Sequence, residues 1–198
     1  MTAKETQKIY LIRHGETEWS SSGRHTGVTD VLLTESGRES ARLLQPILAQ
    51  EEFALVMSSP LQRARETCEL AGFGDVAAVE SDLMEWRYGE YEGLTTKQIQ
   101  SMKAGWSVFH HGCPGGETPD QVAARADRVV AKVRASDGNV ALFAHGHILR
   151  VLAARWTNSE ARFGEHLLLD TATICVLGYY YETPALKIWN APIMRQRS

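Results

Sequence analysis

The chain reads as an α/β fold of three layers, with helices on both faces of a mostly parallel, doubly wound sheet. Two observations predict it. Short apolar runs of strand length alternate with helix-patterned stretches, the order from which strand–helix–strand units build parallel sheets. Two of the apolar runs then break into turns rich in histidine and glycine, Arg13-His14-Gly15 and His145-Gly146-His147. Open α/β sheets bind their ligands at that carboxyl edge.

The elements follow in order. Residues 8–12 form the first strand. Residues 34–50 are helical in pattern, but Pro46 lies inside and should kink or end the helix. Residues 53–57 are a second strand, and Ser58-Ser59-Pro60-Leu61-Gln62 follows at once. Ser59 fits an N-cap, Pro60 the first helical position and Gln62 the capping-box partner. That helix carries Leu61, Ala64, Cys68 and Ala71 at helical spacing and stops near Gly72. A short strand is expected over 76–79. The segment 83–93, mixed in acids, aromatics and glycines, fits neither helix nor strand and reads as a loop of the kind that carries sites. Helices capped at Thr95 and Thr118 come next. The second has Val122, Ala126, Val129, Val130 and Val133 on one face, a core stripe. A buried strand over 140–144, a helix over 148–156, a β-rich stretch over 171–181 and a short strand over 186–189 complete the order.

At 198 residues the chain is expected to be a single domain, 1–198, with a substantial core. It carries 21 basic and 24 acidic residues, a formal net charge of −3, which gives no reason to expect nucleic acid or a membrane surface as partner. The polar first eight residues hold no apolar core of a signal peptide, and no apolar run approaches the roughly 20 residues that span a bilayer. Cys68, Cys113 and Cys175 are odd in number and far apart, as reduced thiols of a cytoplasmic protein would be. The Tyr179-Tyr180-Tyr181 run fits either core or an interface between copies, so a homo-oligomer stays open.

Chemistry concentrates at the strand ends. Arg13 offers a planar fork suited to phosphate, and His14 can be a base, a metal ligand or a nucleophile. Arg63 falls in the first turn of a helix, where free N–H groups favour an anion. His145 ends a second strand, and Gly146 lets backbone approach a ligand. Two imidazoles and two guanidiniums at one edge suit phosphoryl transfer, which needs positive groups around the equatorial oxygens, an in-line nucleophile and a proton source. The arginines should keep the imidazoles neutral. His110-His111 and the His145/His147 pair lack cysteine or carboxylate at ligand spacing, so neither a metal nor another cofactor is expected. Glu16 and Glu18 read as structural or solvated. Trp19, Trp86 and Trp106 either wall a pocket or pack.

The Arg-His-Gly-Glu-Thr turn, the Ser-Pro-x-x-Arg-x-x-x-Thr helix entry, the Glu before Tyr-Gly-x-x-Glu-Gly and the late His-Gly together resemble the histidine phosphatase superfamily, in the phosphoglycerate mutase-like branch. The resemblance runs from residue 9 to about 156 with the motifs in family order. It implies that His14 becomes phosphohistidine, that Arg13, Arg63 and His145 hold the transferring group, and that Glu85 protonates the leaving oxygen and then activates water. It implies substrate contacts at Thr26, Gly27, Tyr88 and Gly146. Ser20 stands where many members carry asparagine and is kept as a weaker contact. A raised carboxyl pKa would set an acidic optimum.

Mutases of the family carry a longer insert with extra basic residues. Between Gly93 and Thr118 this chain has only Lys97 and Lys103 as cations, which favours hydrolysis. The stretches 85–93, 111–117 and 143–147 resemble short bacterial broad-specificity acid phosphatases and fungal sedoheptulose-1,7-bisphosphatases. The implied substrate is a small phosphate ester such as a sugar phosphate. A bisphosphoglycerate-dependent mutase and a non-catalytic phosphate-binding module remain the alternatives. His147 reads as a supporting or substrate-side group. Glu117 either faces the pocket or only precedes the Thr118 cap.

Overall fold

The computed structural model describes residues 6–193. The strands are β1 (Ile9–Arg13), β2 (Phe53–Ser58), β3 (Ala78–Val79), β4 (Asn139–Ala144), β5 (Ile174–Tyr180) and β6 (Thr183–Ala191). The α-helices are α1 (Glu18–Ser21), α2 (Glu35–Arg42), α3 (Gln45–Leu48), α4 (Gln62–Leu70), α5 (Thr96–Met102), α6 (Val108–His111), α7 (Pro119–Arg134) and α8 (Gly146–Trp156). One sheet takes the order β3-β2-β4-β1-β5-β6. β1 pairs in parallel with β4, β4 with β2 and β2 with β3, while β5 and β6 add an antiparallel edge.

Successive strand side chains point to opposite faces, and the core divides accordingly. Ile9, Leu11, Val140, Leu142, Cys175 and Leu177 belong to one buried cluster, which takes in α7 and α8 through Val129 and Leu152. Tyr10, Ile12, Ala141, Phe143, Ile174 and Val176 belong to the other, with Leu44, Leu48 and Cys68. The sheet is therefore the middle of three layers. Among the described residues no helix is long and apolar enough to cross a membrane.

Several elements differ in detail from the sequence reading. Residues 34–50 divide into α2 and α3, with Pro46 in the first turn of the second, where its missing N–H costs nothing. The 76–79 strand shrinks to two residues, while the last strand extends to nine because it hairpins onto β5. Tyr179 packs on Trp156, whereas Tyr180 and Tyr181 are exposed. Thr95 and Thr118 cap α5 and α7 as expected, each in a capping box with the glutamine three residues on.

The entry to α4 is a correction. Its N-cap is Leu61, without a side-chain cap, and Gln62 is its first residue. Ser59 sits two residues before that cap, and its hydroxyl accepts from the Leu61 N–H at 3.3 Å and lies 2.7 Å from His145 Nε2. The carboxylate of Asp30, from the 24–30 loop, accepts from the Gln62 N–H at 2.8 Å instead. A tertiary contact thus caps the helix, and the local signature is spent on the site.

Candidate active site

β1 and β4 are adjacent and parallel, so Arg13-His14 and His145-Gly146 emerge side by side at one sheet edge. The His14 and His145 rings face each other with centroids 5.2 Å apart. Gly15 makes the His14 turn possible: a Cβ there would meet the Gly37 carbonyl oxygen at 2.5 Å. A cavity of about 280 Å³ opens at this edge. Arg13, His14, Glu85, Tyr88, Gly146 and His147 are among the residues that line it.

His14 Nδ1 lies 2.7 Å from the Gly15 carbonyl oxygen. A carbonyl only accepts, so the proton sits on Nδ1 and Nε2 carries the lone pair. Burial, then the charges of Arg63 and Arg13, hold the imidazole well below the usual histidine range. It is therefore neutral, the form in which an imidazole is nucleophilic. Arg13 donates from Nη1 to the Leu169 carbonyl, while its Nε is buried with no hydrogen-bond partner. An orphaned charged donor facing a polar cavity is a strong pointer to an anion.

Arg63 and His145 come to the same corner, but their polar atoms are engaged with protein. Arg63 is fully buried. It donates from Nε to His145 Nδ1 at 3.1 Å and from Nη1 and Nη2 to the carbonyls of Thr29, Thr26 and Gly27. His145 Nδ1 therefore accepts and its Nε2–H donates to Ser59. Neither residue lines the cavity directly. In this unliganded geometry they frame it. Gly27 is also a framing residue. A Cβ there would fall 2.4 Å from Glu92 Oε2 and 2.8 Å from the Trp86 carbonyl oxygen, and its N–H donates to Glu92. Thr26 and Ser20 reach the cavity wall, though the Ser20 hydroxyl is held in a capping box with Thr17 at the start of α1.

Glu85 is buried, and its carboxylate accepts from three backbone N–H groups: Trp86 at 2.9 Å, His147 at 2.9 Å and Ile148 at 3.0 Å. Two of these belong to the first turn of α8, where the helix dipole adds to the hold. Burial alone would push the carboxyl up, but hydrogen bonding from His147 outweighs it and keeps the pKa well below the usual carboxylate range. The raised pKa expected of a carboxyl near phosphate concerns the occupied cavity; in the empty one the carboxylate is held ionised.

Glu117 neither faces the cavity nor merely precedes a cap. It forms a buried two-pronged pair with Arg125 at 3.0 and 3.1 Å and accepts from the Arg87 N–H. Arg125 also donates to the Asp82 and Met84 carbonyls. The pair clamps the chain on both sides of Glu85. Trp86 and Trp106 are core residues and Trp19 lies against Gly93, so all three pack rather than wall the pocket.

Reasoning from sequence missed Arg24, His25, Thr96, Arg150 and Leu169 in the lining. Arg150 had a signal: it follows Gly146 by four residues in a helix, hence on the same face. Its Nε and Nη2 donate to the Gly164 and Glu165 carbonyls, and it stacks over Phe109 at 4.6 Å. Among the described residues no three histidine, cysteine or acidic side chains gather as a metal site would require.

Comparison with known proteins points one way. The family model described as histidine phosphatase superfamily (branch 1) matches residues 9–192. An acid phosphatase from Mycobacterium tuberculosis is 40% identical over 185 residues, 91% of each chain. Sedoheptulose 1,7-bisphosphatase from Saccharomyces cerevisiae is 35% identical over 76% of this chain and 68% of its own. The solved structure of a Mycobacterium tuberculosis open reading frame superposes with a TM-score of 0.91 at 37% identity, covering 96% of this chain and all of that one (100%).

Proposed function

The chain belongs to branch 1 of the histidine phosphatase superfamily, and from that premise we propose that it hydrolyses monoesters of phosphate by way of a phosphohistidine at His14. One observation carries the reading most: the His14 Nδ1–H is locked onto the Gly15 carbonyl, which leaves a neutral Nε2 lone pair in a cavity shared with Arg13 and Glu85.

In the first step His14 Nε2 bonds to phosphorus, the ester P–O bond breaks, and Glu85 gives its proton to the departing oxygen. In the second step water attacks phosphorus, its proton returns to Glu85, and the N–P bond breaks to free phosphate. Arg13 neutralises the phosphoryl oxygens. The carboxylate that is ionised in the empty cavity takes its proton as the ester arrives, because a phosphate beside it disfavours a second negative charge. The guanidinium groups supply positive charge that a metal supplies elsewhere, so activity is expected to survive a chelator.

The size of the cavity suits small phosphorylated metabolites, sugar phosphates among them, and the acid phosphatase and sedoheptulose 1,7-bisphosphatase relatives support that class. Arg150, braced by two carbonyls and an aromatic face, would favour substrates with a second anionic group at a distance from the ester. The test is phosphate release from a panel of sugar phosphates, with acid-labile phosphoprotein trapped by rapid quench. His14→Ala should lose both signals, with turnover down by about 10⁴-fold or more. Equal rates in mutant and wild type would end the proposal. Interconversion of phosphoglycerates only with a bisphosphate primer, without phosphate release, would favour a mutase instead.

A further inference from the structure

We propose that His147 and Glu85 act as one proton-holding couple: together they take up a single proton when a phosphate oxyanion enters the cavity, and deliver it through Glu85 to the leaving oxygen. The inference rests on the reading above and adds the source of the acid proton.

Three histidines at this edge differ in what their ring nitrogens meet. His14 Nδ1 faces a carbonyl, which only accepts. His145 Nδ1 faces a guanidinium N–H, which only donates. Both rings are locked in one tautomer. His147 Nδ1 lies 2.7 Å from the Tyr88 hydroxyl, and a hydroxyl both donates and accepts. The Tyr88 O–H donates to neutral His147, and its oxygen accepts once Nδ1 is protonated. Burial, then Glu85, push the Tyr88 hydroxyl well above the usual tyrosine range, so the phenol keeps its own proton throughout. Nδ1 also lies 3.7 Å from Glu85 Oε2, the oxygen that accepts the His147 backbone N–H. His147 is therefore built to change its charge beside the acid without losing its partner.

The surroundings set the direction. His147 faces Glu85 and Tyr88 from the acid loop, and His25 from the 24–30 loop at 5.7 Å between rings. Phe109 of α6 covers it at 5.3 Å. Arg150 on its own helix and Arg13 at the end of β1 oppose its protonation, and Glu85 favours it. With the cavity empty, burial and these arginines keep His147 neutral while Glu85 is ionised. An entering phosphate dianion offsets both guanidiniums, and the couple then holds one proton more. The proton comes from bulk water on binding, passes from Glu85 to the ester oxygen as the P–O bond breaks, returns from the attacking water, and leaves with the product.

Calorimetric titration with tungstate at neutral pH, in buffers of different ionisation heat, counts the protons taken up. Wild type should take up about one proton per anion, and His147→Asn less than half of that. The nitrogen chemical shifts of His147 in the wild-type protein should also move from the neutral to the protonated pattern as tungstate is added, a readout independent of how well the variant folds. Tungstate that fails to bind would overturn the phosphatase reading itself. Normal binding with equal uptake in both proteins, or with unmoved His147 shifts, would overturn the couple alone.

Discussion

The end of β1 and the first turn of α4 each bring a guanidinium to the site, half-buried in Arg13 and buried in Arg63, and the two are held in opposite ways. Arg13 has one protein acceptor, the Leu169 carbonyl, and a buried Nε with none. Arg63 gives four N–H groups to His145 and to the carbonyls of residues 26, 27 and 29. On the proposed reading, charge at the site has two uses: Arg13 keeps a donor free for an anion, whereas Arg63 holds the loop and the second histidine around the cavity.

Substitution separates the two. Arg63→Ala leaves three loop carbonyls and His145 Nδ1 unpaired, and should cost on the order of 3–5 kcal/mol in a denaturant melt. Arg13→Ala should leave the melt much closer to wild type while lowering turnover by about 10²–10³-fold, as removal of an oxyanion donor does. An Arg63→Ala protein that melts with wild type would erase the distinction.

The pH dependence of stability sharpens the comparison, because the groups around both arginines are shifted the same way. His14 and His145 have folded pKa values well below the ordinary range, burial being the first cause. The unfolded chain therefore binds protons below about pH 6.5 that the folded chain refuses. Their contribution is complete above that pH and is lost as the pH falls beneath it. Glu85 is also depressed, so its contribution is complete above about pH 4.3 and is lost as the pH falls towards its folded value. Thermal melts should decline in two acid windows. His14→Asn should flatten part of the first, and Glu85→Gln the second.

Much of this was legible from the chain because it depends on short-range pattern. Apolar strands running into Arg13-His14 and His145-Gly146 announce both the sheet and its functional edge. The assignments that shifted depend on contacts from distant segments. Ser59 has every local mark of a helix cap, but its hydroxyl meets His145 and the Leu61 N–H, and Asp30 takes the Gln62 N–H. That the first turn of α8 holds the Glu85 carboxylate in the empty cavity depends on residues some sixty positions away in the chain. Glu117 and Arg125 sit eight residues apart on either side of a helix start, and nothing in that spacing shows that they brace residues 82–87. Leu169 reaches the cavity from a stretch with no local signal.

That brace is a second kind of frame, around Glu85 rather than around His14 and His145. Arg125→Lys keeps a charge but not the fork that meets Glu117 and two carbonyls together. It should cost about 1–3 kcal/mol and slow alkyl phosphates more than aryl phosphates, whose leaving groups need less proton assistance. Equal slowing of both classes would make the clamp a matter of stability only.

The smallest effect falls at the entry to α4, where the two candidate caps do different work. Ser59→Ala removes the acceptor for the His145 Nε2–H in a buried setting, so it should lower turnover by loosening His145. Asp30→Ala removes only the partner of the Gln62 N–H at the exposed start of the helix, a loss of about 1 kcal/mol for a cap. Arg63 lies one residue further along, and its three carbonyl contacts belong to the same loop as Asp30. If the cap matters chiefly through that loop, Asp30→Ala should speed amide exchange over residues 24–30 and at the first turn of α4 together. Faster exchange in the helix alone would show that Arg63 suffices to hold the loop without the carboxylate.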